Sequence, residues 1–473
     1  MSKYLEYFKG AFDASVTEKI KPKNKPYVAY SEEEGVIYTT ISEPVVSGPY
    51  VTFTAEEDNS SIGLSRLSTN QTLEYSTDTI TWNIFDTTTN ISLNNGDKVF
   101  VRGVLSADNT YSDYTNFEMT GKIAASGNCN AIWNYQDLNA PLKAYCGRIM
   151  FKGCTSLTTA PELPATTSVD SCYYEMFKGC TSLTTAPALP ATTLAKECYY
   201  SMFQGCTSLT TAPELPATEL AYWCYYSMFQ GCTSLTTAPE LPATELAEYC
   251  YSSIFSGCSS LTTAPVLPIT TLAPGCYHSM FLGCKHLTTA PELPATELAD
   301  YCYNHMFSNC TSLTTAPELP ATTLASGCYC GMFAGCTSLT AAPVLPITTL
   351  ASGCYDGMFA GCTSLTAAPV LPATELAESC YAYMFENCTS LVTAPELPAT
   401  ILVKKCYSNM FSGCTRLNHI TCLATDKSAS NCTARWVYNV SSTGTFVKHP
   451  DMNSWSTGIY DIPIGWTVVD AEI

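Results

Sequence analysis

A Met-Phe-x-Gly-Cys core begins at Met150 and returns at Met176, Met202, Met228, Ile254, Met280, Met306, Met332, Met358, Met384 and Met410. Every step is 26 residues, with no insertion or deletion across the eleven copies. So strict a period permits few folds. Each unit is too small to bury an apolar face alone, so the units must stack into a solenoid whose core is continuous from copy to copy.

Within one unit, Cys172, Tyr173, Met176, Phe177 and Cys180 fall at i, i+1, i+4, i+5 and i+8. That spacing predicts a helical face, hence one short helix or 3₁₀ turn per repeat. Gly179 suits the left-handed position at its end, and Asn309 and Asn387, which replace that glycine in two copies, tolerate the same conformation. The other half, Leu157-Thr-Thr-Ala-Pro-Glu-Leu163-Pro, has the apolar spacing of a strand. Pro161 has no N–H for a ladder, so the strand is expected to be short, at Leu157–Ala160, and to pair in parallel with the next copy. At about 4.8 Å per strand the stack would run for roughly 50 Å, as a rod or gentle arc.

Of the 26 cysteines, 22 form pairs eight residues apart, one pair per repeat, from Cys146/Cys154 to Cys406/Cys414. Cys129, Cys330, Cys422 and Cys432 lie outside that pattern. A thiol locked to a repeat register reads first as a small buried hydrophobe. Regular disulfides are the alternative, whereas zinc sites want closer pairs. The net charge of −19 argues against a phosphate backbone or an anionic membrane as partner. No secretory signal and no run of about 18 apolar residues is read, so neither ordinary export nor a membrane span is expected.

The flanks differ in character. Residues 1–43 carry Lys3, Lys9, Lys19, Lys21, Lys23 and Lys25, then Tyr27-Val-Ala-Tyr30 and Val36-Ile-Tyr38, which suggest a hairpin. This arm is either solvated or a peg that orders on a larger assembly, with Tyr27, Tyr30, Ile37 and Tyr38 as the docking residues. Residues 44–126 alternate in short runs (49–54, 73–76, 80–84, 98–104 and 116–120), which predicts a small antiparallel β-sandwich with about six strands and Trp82 turned inward. Residues 127–145 are expected to cap the solenoid at its start. Residues 425–473, with Trp436, Trp455 and Trp466, are expected to close it, or else to bind sugar.

Known catalytic motifs are missing from the sequence, and no cofactor or metal site is expected. His278 and His305 occupy neighbouring repeats and are expected to lie close together at the surface. Glu214 and Glu240 share a register and could stand about 5 Å apart, like a retaining glycosidase pair. Copied positions give equal environments, however, and catalysis needs unequal ones, so the expectation is a non-enzyme. The tyrosines from Tyr173 to Tyr407 read as a half-buried ladder with outward hydroxyls, or as an aromatic track for a ligand. Positions that vary between copies should be exposed. There Tyr174, Tyr200 and Tyr226 cluster in three consecutive repeats with Tyr222 and Trp223 close by, the first place to seek a ligand.

Met-Phe-x-Gly-Cys-Thr-Ser-Leu-Thr-Thr-Ala-Pro-Glu-Leu-Pro resembles the BspA-like leucine-rich repeat family over residues 146–424. Ala-Pro-x-Leu-Pro stands where the family usually has Ile-x-Ile-Pro, and a Cys-Tyr is added ahead of the core. The resemblance implies a surface-binding role, as in proteins of gut and oral bacteria. Similar repeats occur in tailed phages of gut Bacteroidales, including crAss-like phages, and Lys21-Pro-Lys-Asn-Lys-Pro-Tyr-Val-Ala-Tyr30 resembles leaders from that setting. The fold expected is an α/β repeat solenoid of leucine-rich-repeat type at 127–424, behind the arm and the sandwich. The function expected is a virion fibre or appendage. Its partners would be other virion proteins through the arm and a host-surface glycan or protein through the solenoid, without nucleic acid, and it could trimerise. A bacterial surface adhesin is the alternative, and a glycan depolymerase a lesser one.

Overall fold

The structure, a computed structural model, describes the backbone of residues 29–31 and 35–37 together with residues 48–472. It divides into two compact units, Met1–Gly48 and Pro49–Ile473. In the first, β1 (Ala29–Ser31) and β2 (Gly35–Ile37) pair antiparallel with Tyr30 opposite Val36. That is the expected hairpin pairing.

The second unit begins with β3 (Val51–Ala55), β4 (Ser60–Arg66), β5 (Gln71–Ser76), β6 (Asn83–Ile84), β7 (Asn90–Leu93), β8 (Lys98–Leu105), β9 (Asn116–Thr120) and β10 (Ile123–Ser126). They form two antiparallel sheets, in the orders β10-β3-β8-β5-β6 and β7-β4-β9. Alternation buries Val51, Phe53 and Ala55 on one strand and Val99, Val101 and Leu105 on another. The inner faces meet where the Phe53 and Phe117 rings lie 5.4 Å apart. The run at 80–84 shrinks to β6, with Ile80 83% exposed, because Asp78 Oδ1 accepts the N–H groups of Ile80 and Thr81 and turns the chain there. Trp82 is only partly buried, lying under the Arg102 guanidinium at 3.8 Å.

A short helix, α1 (Asn130–Asn134), lays Trp133 against Tyr173. Next, β11 (Leu157–Thr159) pairs in parallel with β10, so the sandwich sheet runs directly into the first coil.

The expected helix per repeat does not form. Among the described residues α1 is the one α-helix, and the Cys-Tyr-x-x-Met-Phe-x-Gly-Cys segments are chains of linked turns. In the coil carrying Phe177, the N–H groups of Ser171, Tyr173, Glu175, Phe177 and Gly179 donate to Lys196, Cys198, Tyr200, Met202 and Gln204 of the next coil, at 2.7–3.0 Å. The alternate N–H groups, of Cys172, Tyr174, Met176, Lys178 and Cys180, each donate three residues back along their own coil. Every backbone N–H of the segment is thereby used without a helix. Each fourth residue is left-handed: Ser171 at φ 51°, Glu175 at 51°, Gly179 at 76°. A right-handed helix cannot pass through such positions. Asn309 and Asn387, at φ 59° and 58°, take the glycine's place as expected.

The turns aim one set of side chains inward. Phenylalanine rings from Phe151 to Phe411 stack at 5.5–5.9 Å between centroids. Tyrosines from Tyr173 to Tyr407 stack at 5.7–6.3 Å. Each buried ring contributes about 1.5–3 kcal/mol relative to exposure. All 26 cysteines are free thiols, and 25 are buried. In one column each thiol has a hydrogen bond the sequence did not reveal. Cys180 Sγ donates to Phe151 O at 3.0 Å, and the pattern continues to Cys414 and Phe385. That same Phe151 carbonyl also accepts the Cys154 N–H, so both of its lone pairs are occupied.

On the opposite side of the coil the expected strand survives as β11 in the first copy and as β12 (His419–Cys422) in the eleventh, where Thr421 and Ala424 replace the two prolines. The copies between keep single-residue parallel bridges, such as Thr159 to Thr185 and Thr185 to Thr211, with a second column at Thr167, Thr193 and Glu219. The two prolines of Ala-Pro-x-Leu-Pro remove the donors a longer ladder would need.

The closing segment starts as a further coil. Asn431, Arg435 and Asn439 are left-handed at the repeat register, and Tyr407, Asn409 and Phe411 donate to Cys432, Ala434 and Trp436. Cys432 therefore belongs to the repeat pattern. Around it runs a parallel sheet in which β13 (Thr445–Lys448) pairs with β12 (His419–Cys422) on one side and β14 (Thr467–Asp470) on the other. Trp436 and Trp466 are buried, and their indole N–H groups go to Asp461 O and Ser441 O. Those two rings serve packing, not sugar binding. No helix among the described residues is long and apolar enough to cross a membrane.

Candidate functional site: an aromatic surface on the first coils

The tyrosine column from Tyr173 to Tyr407 is only 1–2% exposed, so it is neither half-buried nor a ligand track. Burial raises the hydroxyls well above the ordinary tyrosine range, as at Tyr199 and Tyr225. The surface lies one residue later. There the turn directs Tyr174, Tyr200 and Tyr226 outward, each half-buried.

The Tyr174 and Tyr200 rings stack at 4.5 Å and 2°, and Tyr200 and Tyr226 at 4.8 Å and 7°. Trp223, at a left-handed position, lies 6.1 Å from Tyr200 and 5.8 Å from Tyr226, and Tyr222 stacks on it at 4.4 Å. All five candidate residues thus form one surface. Two further rings extend it. Tyr249 meets Trp223 edge-on at 6.4 Å, and its position one period after Trp223 was legible in the repeat register. Tyr111, from the loop after β8, meets Tyr174 edge-on at 6.4 Å and had no sequence signal.

The surroundings fix this patch electrostatically. Arg148 is 5% exposed, with its guanidinium 4.0 Å from the Tyr111 ring and 5.2 Å from Tyr174. Burial pushes the Glu175 carboxyl up, but hydrogen bonds from Lys152 and Lys178 outweigh it and hold the group below its ordinary range. Burial, together with the neighbouring Tyr226, pushes Tyr200 up to about 12, so its hydroxyl stays protonated at neutral pH. Because these rings stack on one another, the patch presents a row of aromatic edges and hydroxyls, suited to edge contacts and hydrogen bonds with a sugar or a protein side chain.

The other candidates fall elsewhere. Tyr27 and Tyr38 lie outside the described residues, and Tyr30 and Ile37 sit on the backbone of β1 and β2. Glu214 and Glu240 are both exposed, in equivalent surroundings. No group of three or more His, Cys, Asp or Glu among the described residues is placed to hold a metal ion. His278 and His305 are both partly buried and not fully at the surface. Burial lowers both imidazoles, and the charge of His305 lowers His278 further.

Further along the Tyr174 column stands Asp356, half-buried, with its carboxyl pushed up to about 6 by burial against a partial pull from Lys405. A carboxyl raised on folding contributes stability that is fully present below its unfolded value of 3.8 and lost as pH rises through about 6. Asp356→Asn should therefore raise the urea midpoint above pH 7 and leave it unchanged near pH 3. A gain of equal size at both pH values would contradict this account.

A sequence model described as the BspA type leucine-rich repeat region, of six copies, matches residues 144–287, 224–340 and 331–438, more than half of the chain. No curated protein matches.

Proposed function

Because the chain belongs to the BspA type leucine-rich repeat family, we propose that it is an adhesin-type attachment protein that displays its coils to a glycan or protein on a host-cell or mucosal surface. The observation that carries this reading is the aromatic surface. Seven rings from four consecutive coils and one sandwich loop lie edge to face or face to face on the outside of the stack, where a folded core gains little from them. The role is non-enzymatic, since the exposed chemistry of the patch is aromatic-edge contact and hydrogen bonding. In this reading the solenoid is the display element, and its partners are surface ligands without nucleic acid or a cofactor.

The finer placement is on a virion. Residues 1–43, including Tyr27, Tyr30, Ile37 and Tyr38, would dock on other particle proteins while the solenoid reaches outward as a fibre or appendage, as a single chain or a trimer. The resemblance of the Lys21–Tyr30 stretch to phage leaders supports it. A bacterial cell-surface adhesin is the second reading, favoured by the family match itself.

The first test is attachment. Tyr200→Ala with Trp223→Ala should weaken binding of the full chain to mucin-coated surfaces or gut bacterial cells at least tenfold, with the melting profile little changed. Undiminished binding would sink the aromatic surface as the contact. Peptide mass spectrometry of gradient-purified phage particles beside washed cell-surface fractions decides the placement. Stoichiometric recovery from particles supports the virion, and recovery from cells alone supports the bacterial adhesin.

A further inference from the structure

The cleft bounded by β8, α1 and the loop after it holds about 240 Å³ and is separate from the aromatic surface. We propose that it binds a single pyranose ring, the terminal residue of a glycan. This rests on the attachment reading and gives it a ligand class, yet it can be measured without cells.

Two observations carry it. First, the size is right for one ring. Drug-sized pockets run to roughly 300–1,000 Å³, and this cleft would otherwise hold about eight waters at about 30 Å³ each. The Asn130 side chain that backs the cleft is fixed, because its Nδ2 donates to Leu138 O at 2.8 Å.

Second, the lining combines apolar and two-way polar chemistry. Val104, Leu105, Pro141 and Leu142 supply a surface for the C–H face of a sugar. Asn134 spends Oδ1 on the N–H groups of Gln136 and Asp137, and Asp137 spends Oδ1 on Asn139 N–H. The Asn134 Nδ2 and Asp137 Oδ2 atoms, with the Gln136 amide, remain to bond a ligand. A sugar hydroxyl donates and accepts at once, so adjacent hydroxyls can satisfy amides and a carboxylate together. An apolar ligand would leave the free groups of Asn134, Gln136 and Asp137 unanswered. Lys143 lines the cleft too, but its Nζ donates to Ser106 O at 2.8 Å.

The test is saturation-transfer NMR on the full chain with a panel of methyl hexosides, methyl N-acetylhexosaminides and methyl fucosides, beside the free sugars and free amino acids. At least one methyl glycoside should bind, as tightly as its free sugar. Gln136→Ala with Asp137→Asn, both at exposed positions, should weaken it tenfold or more. Transfer from no glycoside, binding of free sugars or amino acids alone, or binding untouched by the double substitution would each overturn the site. If the glycoside binds while the full chain attaches to no surface, the cleft stands and the attachment reading fails. Attachment without glycoside binding gives the reverse.

Discussion

Phe281→Ala should lower the stability of the stack by about 3–5 kcal/mol, the cost of emptying a fully buried aromatic site. Phe281 is 0% exposed and lies between Phe255 and Phe307, at 5.9 and 5.6 Å. The substitution deletes two stacking contacts and opens a cavity that the coil hydrogen bonds keep from collapsing. Because each coil touches only its neighbours, the damage should be concentrated there. Amide hydrogen exchange should therefore accelerate most at the coils carrying Phe255, Phe281 and Phe307, and urea unfolding should move to lower concentration. Equal acceleration in every coil, the sandwich included, would show that the second unit unfolds as one block instead.

Ser253→Pro is expected to be at least as severe, costing about 3 kcal/mol or more. Ser253 sits at φ 56°, and its N–H donates to His278 O at 2.7 Å. Proline holds φ near −65° and has no N–H, so it fails both requirements. Ser253→Gly supplies the control, since glycine meets the backbone requirement and already fills this column at Gly331 and Gly357. The glycine variant should match or exceed the parent in thermal melting while the proline variant loses cooperative unfolding. A proline variant that melts like the parent would remove the left-handed coil from consideration.

These positions also explain what the sequence concealed. The spacing i, i+1, i+4, i+5, i+8 fits a helix of 3.6 residues per turn and a chain of turns with period four equally well over nine residues. Five further clues were present: Gly275, Gly327 and Gly353 at one left-handed position, and Gly331 and Gly357 at the next. Gly331 shows why the residue varies. A Cβ there would overlap the His305 ring, which leans from the preceding coil. The burial of the cysteine columns and the role of Gly179 were legible because both repeat without exception in chemistry. β4 was missed because Ser60-Ser-Ile-Gly-Leu-Ser-Arg66 carries few β-branched or aromatic residues. The Tyr174, Tyr200 and Tyr226 surface was legible because it breaks the repeat, whereas Tyr111 joins it by a tertiary contact no register predicts.

The bonds between coils point along the stack, which gives the molecule a definite mechanical character. A pull from end to end loads the sets of bonds in series, so the weakest interface between coils gives way first and the others hold until their turn. Each coil that lets go frees 26 residues, which extend by roughly 90 Å at about 3.4 Å per residue. Under end-to-end tension the stack would yield in uniform steps and lengthen before it parts.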